Sequence, residues 1–223
     1  MSYTSVKVKV PDLKTSYDNY SKPSVKEANI NMLKSIFSNY DGIISKYKQS
    51  LSLPKEIVGS VIATESGGRM VGKNAYGAIG LMQVTYPAFV EVTTQWKKHT
   101  KEYLPIFLKQ SIDKLAPNKS QSAIESKLAS SPELNILIGM MLIRLLTERF
   151  GGNFNRVLVS YNAGAYTKSQ NVGTTPITTP IDTALLVSDK RVPSESRAYL
   201  QKVLGKDGFL ELSFNNLVWY CLL

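Results

Sequence analysis

Cysteine and histidine are nearly absent from this chain of 223 residues, which contains one of each, Cys221 and His99. A single cysteine excludes a disulfide bond within the chain. A single histidine removes most metal-site patterns and any Ser-His or Cys-His catalytic pair. The sequence also lacks a Walker loop and zinc-ligand spacing, so we expect neither a cofactor nor a metal. Any catalysis must therefore rely on other groups.

Long apolar segments are also missing. The most apolar internal run, 136–143, is interrupted by Arg144 and is too short to span a bilayer. The first residues are polar and lack the apolar core of a signal peptide. We therefore expect no stable membrane insertion, and synthesis in a host cytoplasm without an export signal.

Acidic residues are fewer than basic ones, and the formal net charge is +10. Such a charge favours polyanionic partners such as nucleic acid, anionic lipid or an acidic wall polymer. The basic residues are scattered, however, and the densest group is 97–101. We interpret this group as a solvated basic surface, with nonspecific attraction to an anionic cell wall as the alternative. Without an aromatic-basic signature we expect no nucleic-acid partner.

An apolar helical pattern that ends in a carboxylate is the most informative feature present. Pro54 suits a first helical turn, the apolar positions within 58–62 share a face with Glu65, and Gly67 supplies a helix stop. Burial and the negative helix C-terminus both disfavour the ionised carboxylate, so they predict a raised pKa for Glu65. A carboxylic acid still protonated near neutral pH suits general-acid catalysis. The alternative is a Glu turned to solvent at a frayed helix end.

Three further motifs follow Glu65 along the chain: Gly77-Ala-Ile-Gly-Leu-Met-Gln83, Ser160-Tyr-Asn-Ala-Gly164 and Glu195-Ser-Arg-Ala-Tyr-Leu200. The glycines of the first motif allow the backbone to approach a sugar closely, and Gln83 offers both an amide donor and an acceptor. A tight turn followed by a surface glutamine is the alternative interpretation.

The ordered motifs Glu-Ser, Gly-Leu-Met-Gln and Tyr-Asn resemble those of the soluble lytic transglycosylases, which share a fold with goose-type lysozyme. The resemblance covers roughly residues 50–205. It implies a mainly α, lysozyme-like (α+β) fold, and the Gly-rich segment 68–83 predicts a small β-hairpin lobe beside the catalytic helix. Ser160 stands where the family usually has Ala, and Asn74 stands where it often has Ser or Thr.

The chain is expected to divide into three parts. Residues 1–50 form an N-terminal arm and helices packed on the catalytic domain, residues 51–205 form that domain, and residues 206–223 form an apolar tail docked on the core. A helix break is predicted at Asp41-Gly42, and a buried helix over 132–150 is expected at the centre of the core.

The resemblance also assigns roles to side chains. Glu65 would be the catalytic acid, Tyr161 would place its hydroxyl near that acid, and Asn162 would bind the acetamido sugar. The residues expected to bind substrate are Ser66, Asn74, Met82, Gln83, Tyr161, Asn162 and Tyr199, with Glu195 in a supporting role.

The function implied is that of a peptidoglycan lytic transglycosylase that cleaves the MurNAc-GlcNAc β-1,4 bond and forms 1,6-anhydroMurNAc. A hydrolytic muramidase acting on the same bond is the alternative, and a noncatalytic glycan-binding virion protein is a more distant one. The expected partner is the bacterial peptidoglycan glycan strand, bound by a monomer. A phage endolysin released through a holin, or a virion-associated lytic enzyme, would fit the missing export signal.

Overall fold

The computed structural model describes residues 23–163 and 194–217, and these residues are mainly helical. The predicted mainly α fold is confirmed for them. Residues 1–22, where the N-terminal arm is predicted, residues 164–193, and residues 218–223 of the predicted tail lie outside the described residues. The helices are α1 (Pro23–Leu51), α2 (Lys55–Ser66), α3 (Tyr86–Thr94), α4 (Trp96–Thr100), α5 (Ile106–Leu115), α6 (Gln121–Ser130), α7 (Pro132–Arg149), α8 (Phe154–Ala163), α9 (Ser194–Leu204) and α10 (Phe209–Leu217).

Helix α7 is the centre of the core. The side-chain oxygen of Ser131 accepts the Leu134 N–H at 3.2 Å and caps the helix, while Pro132 occupies the first turn. Gly151 and Gly152 follow the helix with positive φ angles of 58° and 85°. Helices α1, α3, α4, α5, α6 and α8 all contact α7. The helix predicted over 132–150 is confirmed, and its nearly continuous apolar surface is explained by neighbours on several sides.

Helix α2 carries Glu65 and begins directly after Pro54. Its C-terminus is closed by Gly67, which has a φ of 62° and donates its N–H to the Ala63 carbonyl at 3.1 Å. Residues 57–63 are buried, and α1, α9 and α10 pack against the helix. The predicted start and stop of this helix are confirmed. Packing by three helices explains why residues 57–63 are buried.

The helix break predicted at Asp41-Gly42 is wrong, because α1 runs through it without interruption. A glycine inside a helix costs about 1 kcal/mol relative to alanine. Each fully buried large apolar side chain contributes roughly 1.5–3 kcal/mol, and α1 buries such side chains on both sides of the glycine, including Leu33, Ile44 and Leu51. Packing therefore outweighs the local preference of Gly42.

The predicted β-hairpin lobe is not found within the described residues. Segment 68–85 contains one antiparallel bridge, in which Ile79 and Val84 exchange backbone hydrogen bonds of 3.0 and 2.9 Å. The Asn74 side-chain oxygen instead accepts the backbone N–H groups of Tyr76 and Ala78 at 2.9 and 3.0 Å. These donors would otherwise be free to pair in a strand, so the side chain replaces a β-ladder with a compact turn.

The two ends of the described chain meet the same helix. Helix α1 contacts α2, α7 and α10, and α10 contacts α2. An ion pair of 2.7 Å joins Lys26 of α1 to Asp207, which precedes α10. The three-part division of the chain stays a prediction, since these contacts do not test where one domain would end.

None of the described helices is by itself long and apolar enough to cross a bilayer. Helices α6 and α7 reach the required length and composition only as a pair, and they are bent by 106° relative to each other.

A buried amide of α7 fixes the bridged loop to the core. The Asn135 oxygen accepts the Met82 N–H at 2.9 Å, and its nitrogen donates to the carbonyls of Ile79 and Leu128 at 2.8 and 3.1 Å. The side chain has no solvent exposure. Gly80 has a φ of 78°, and a Cβ there would lie 2.2 Å from the amide nitrogen of Asn135. The loop position thus depends on both residues.

Replacing this amide should be costly. We expect Asn135→Ala to lower the free energy of unfolding by about 2–4 kcal/mol, because it leaves the buried Met82 N–H and the Leu128 carbonyl without this partner and removes one of the two donors to the Ile79 carbonyl. Urea denaturation followed by circular dichroism measures the change. Asn39→Ala on the exposed face of α1 is the matched control and should change stability by less than about 0.5 kcal/mol. Equal stability losses in the two variants would contradict this role for Asn135.

Candidate active site

Glu65 lies in the last turn of α2 and is half-buried. Its Oε1 accepts a hydrogen bond of 2.8 Å from the hydroxyl of Tyr199 on α9, 134 positions away in the sequence. Burial raises the pKa of Glu65 from its ordinary value of 4.5 to about 7. A carboxyl group with such a pKa is partly protonated at neutral pH. It can therefore give up a proton as an acid and take one as a base.

Helix α9 adjusts this pKa in both directions. The hydrogen bond from Tyr199 and the charge of Lys202 lower the pKa of Glu65, while the charge of Glu195 raises it. Burial is the largest effect, so the pKa stays well above its ordinary value. The direction predicted from the sequence is confirmed. Arg69, which could have opposed it, instead directs its Nε to the Ser66 carbonyl at 3.3 Å.

Two buried tyrosine hydroxyls lie near the acid. Tyr161 donates to the Met82 carbonyl oxygen at 2.8 Å, and Tyr199 donates to Glu65. Burial, followed by the negative charge of Glu65, raises the pKa of both phenols well above the ordinary value. Both hydroxyls therefore stay protonated at any physiological pH, and they act as fixed hydrogen-bond donors.

The loop after α2 presents two amide side chains at the surface. Asn74 donates from Nδ2 to the Gln83 Oε1 at 3.3 Å, and Gln83 donates from Nε2 to the Gly80 carbonyl at 2.9 Å. Asn74 is exposed and Gln83 is half-buried. Both residues retain surface that a sugar could reach. The Asn74 side chain also stabilises the turn by accepting the N–H groups of Tyr76 and Ala78. The shorter hydroxyl side chain of Ser or Thr would stabilise this turn less well.

The side chains of Ser66 and Met82 lie inside the protein. The Ser66 hydroxyl is buried and donates to the Leu81 carbonyl at 2.7 Å, which ties α2 to the loop. The Met82 side chain has no exposure and occupies the space beside Gly139 of α7. Ser66 thus ties the loop to α2, whereas Met82 packs it against α7. The substrate-binding roles expected for these two residues stay predictions.

The remaining expected residues connect α8 to α9. The Ser196 hydroxyl donates to the Asn162 side-chain oxygen at 2.7 Å, and Asn162 is half-buried. Glu195 is exposed on the first turn of α9 and acts on Glu65 through its charge. Glu91 of α3, the first acidic residue after Glu65 in the sequence, lies 4.0 Å from His99 of α4. Of the two acids Glu91 and Glu195, Glu195 is the one whose charge affects the pKa of Glu65.

Sequence reasoning missed three contributors: Asn135, Ser196 and Lys202. Asn135 was visible as a polar residue inside an otherwise apolar helix, a pattern that indicates a satisfied buried amide. Lys202 follows Tyr199 by three positions, so both lie on one side of α9. This spacing does not indicate which carboxylate Tyr199 and Lys202 would approach.

One family model matches the chain. Its description is "Transglycosylase SLT domain", and the match spans residues 104–179. The match covers 76 of the 223 residues and supports a relationship to the soluble lytic transglycosylases over this segment. The matched segment contains Tyr161 and Asn162, whereas Glu65 and the Gly-Leu-Met-Gln motif precede it. Comparisons with curated proteins and with solved structures found no match.

Removing the hydroxyl that faces Glu65 should change the titration of this acid in a known direction. We expect Tyr199→Phe to raise the pKa of Glu65 further above 7, because the hydrogen bond from Tyr199 favours the ionised carboxylate. Carbon-13 NMR of labelled glutamate measures the midpoint, and the signal of Glu65 is identified by its loss in Glu65→Gln.

Tyr161→Phe is the matched control for this titration. Its hydroxyl donates to the Met82 carbonyl, not to the carboxyl group, so the midpoint of Glu65 should change much less. A midpoint that falls in Tyr199→Phe, or that moves equally in both variants, would contradict the described contact.

Proposed function

We propose that this protein is a peptidoglycan lytic transglycosylase that cleaves the β-1,4 bond between MurNAc and GlcNAc and leaves a 1,6-anhydroMurNAc end. Its biological role would be lysis of the bacterial cell wall. The observation that carries the proposal is the state of Glu65. Its carboxyl group has a pKa of about 7 and accepts a hydrogen bond from Tyr199 at 2.8 Å. The family match supports the substrate class.

The first step needs an acid. Protonated Glu65 gives its proton to the glycosidic oxygen, so that the bond from this oxygen to C1 of MurNAc breaks and the GlcNAc hydroxyl leaves. Positive charge develops at C1 during this cleavage. The carbonyl oxygen of the substrate's own N-acetyl group can stabilise that charge. A second protein carboxylate is not required for this route.

The second step needs a base, and Glu65 is ionised once its proton has left. The carboxylate takes the proton of the C6 hydroxyl of MurNAc while O6 forms a bond to C1, which closes the anhydro ring. The hydrogen bond from Tyr199 and the charge of Lys202 favour the ionised form and so stabilise it between the steps. The cycle returns Glu65 to its protonated state without consuming water.

The other residues near the site divide into binding and positioning roles. Gln83, Asn74 and Asn162 retain surface and carry amide groups that suit the hydroxyl and acetamido groups of a glycan. Tyr161 holds the Met82 carbonyl and thereby fixes the loop beside Glu65. We assign substrate contact to the three amides and positioning to Tyr161.

A hydrolytic muramidase is the alternative, and one observation favours considering it. Glu195 acts electrostatically on Glu65, so it is the described acid best placed to activate a water molecule. Such a mechanism uses two carboxylates, whereas the proposed one uses Glu65 alone. The two functions therefore differ in their need for Glu195 and in the mass of their products.

One digestion experiment separates these functions. Purified peptidoglycan is incubated with wild-type protein, Glu65→Gln and Glu195→Gln, and the soluble products are analysed by mass spectrometry. We expect anhydro-ended products from the wild type, a loss of at least about 100-fold in rate for Glu65→Gln because the general acid is removed, and retained cleavage by Glu195→Gln.

The outcomes distinguish three functions. Products that have each gained one water, together with inactivity of Glu195→Gln, would establish the muramidase instead. Cleavage by a folded Glu65→Gln at a tenth of the wild-type rate or more would contradict the assignment of the acid. Absence of cleavage by any protein, with retained glycan binding, would point to the noncatalytic alternative.

A further inference from the structure

The loop between α2 and α3 displays an aromatic ring that the proposed chemistry does not use. Tyr76 has 92 % of its surface exposed, the largest exposure among the exposed large hydrophobic side chains of the described residues. An isolated exposed aromatic ring gains nothing from the fold, since burial is what makes such side chains stabilising. Single exposed apolar side chains are common on protein surfaces, so the role of Tyr76 has to be argued from its position in this loop.

The turn that carries Tyr76 is held firmly. The Tyr76 N–H donates to the Asn74 side-chain oxygen at 2.9 Å, and the Gly77 N–H donates to the Asn74 carbonyl at 3.0 Å. One position before Asn74, Lys73 forms an ion pair of 2.7 Å with Glu125 of α6. The backbone under the ring is thus tied to its own loop and to a neighbouring helix. A ring on a preorganised backbone can bind a ligand at a lower entropic cost.

The same loop reaches the candidate active site. Asn74 donates to Gln83, and the neighbouring Met82 carbonyl accepts the hydroxyl of Tyr161. The charge of Glu65 in turn acts on Tyr161. Hydrogen bonds therefore link the turn of Tyr76 to Gln83, and the residue before Gln83 to Tyr161, on which the charge of Glu65 acts. A glycan strand bound at Glu65 extends over several sugars, and the turn of Tyr76 lies next to Gln83, one of the amides assigned to substrate contact.

The chemistry of the sugar decides which ring would meet the tyrosine. In β-1,4-linked GlcNAc the substituents are equatorial, so both faces of the ring present axial C–H groups and are apolar. Such a face fits the flat face of an aromatic side chain. MurNAc carries a bulky lactyl group on O3, which in peptidoglycan is extended by the peptide stem, and this bulk makes stacking less favourable. Tyrosine also provides a large contact area with few rotatable bonds.

We propose that Tyr76 forms a stacking platform for a GlcNAc residue of the glycan strand, at a position removed from the bond that is cut. This proposal rests on the proposed function for its substrate class and assigns a binding residue to the same site. The ring, not the hydroxyl group, makes the contact. Tyr76 takes no part in proton transfer, so its loss should weaken substrate binding far more than it slows the chemical step.

Binding is tested without catalysis in proteins that carry Glu65→Gln. The probe is the chito-oligosaccharide tetra-N-acetylchitotetraose, whose affinity is measured by isothermal titration calorimetry. We expect Tyr76→Ala to weaken binding about tenfold and Tyr76→Phe to retain it within about twofold. Tyr103→Ala is the matched control, because Tyr103 is also exposed, at 76 %, but lies between α4 and α5. This control should bind like its parent.

Kinetics on soluble glycan strands give a second readout with Glu65 intact. Tyr76→Ala should raise KM about tenfold and change kcat much less, and Tyr76→Phe should restore KM. Unchanged affinity and KM in Tyr76→Ala would overturn the platform. Equal losses in Tyr76→Phe and Tyr76→Ala would also overturn it, since a hydroxyl contact would then be responsible. Failure of the parent protein to bind the oligosaccharide would overturn it as well.

The two proposals can fail separately. Cleavage by Glu65→Gln, or hydrolytic products, would remove the transglycosylase mechanism and leave the binding result for Tyr76 unaffected. Loss of all activity in Glu65→Gln together with normal binding by Tyr76→Ala would contradict the stacking role of Tyr76 and would still support Glu65 as the catalytic acid.

Discussion

Burial of the Glu65 carboxyl group is the constraint on which the site depends. Helices α1, α9 and α10 pack on α2, and the burial of the Glu65 carboxyl group raises its pKa to about 7. The opposing contacts from Tyr199 and Lys202 limit the rise but do not cancel it. A carboxyl group in this balance can act as an acid in one step and as a base in the next. The pairing of α2 with α9 therefore sets the chemistry available to the protein.

A second constraint places the loop beside that acid. Asn135 on the central helix holds the backbone at Ile79 and Met82, and Ser66 holds the carbonyl of Leu81. The loop contains a single β-bridge, so side chains take over the part that strand pairing would play in a larger hairpin. Asn74 extends the same arrangement to the exposed turn. Buried amide and hydroxyl groups with satisfied hydrogen bonds thus define the shape of the surface next to Glu65.

The sequence predicted the helices that begin with a capping residue or end at a glycine. The cap at Ser131 and the stop at Gly67 are examples, as is the apolar stripe that leads to Glu65. The glycine at position 42 was misleading, because packing along α1 outweighs its local cost. The contact between Glu65 and Tyr199 could not be derived from local patterns, since 134 positions separate the residues. The inward orientation of Ser66 and Met82 likewise depends on α7 and on the loop, which motif matching alone does not reveal.

The pH dependence of kcat/KM on soluble glycan strands, compared with the NMR titration of Glu65 in the same protein, tests the central claim most directly. The proton donor is lost as pH rises through the pKa of Glu65, so the rate should fall with a midpoint near 7 that coincides with the titration midpoint. A rate that stays constant to well above this midpoint, or a titration midpoint near the ordinary value of 4.5, would contradict the account.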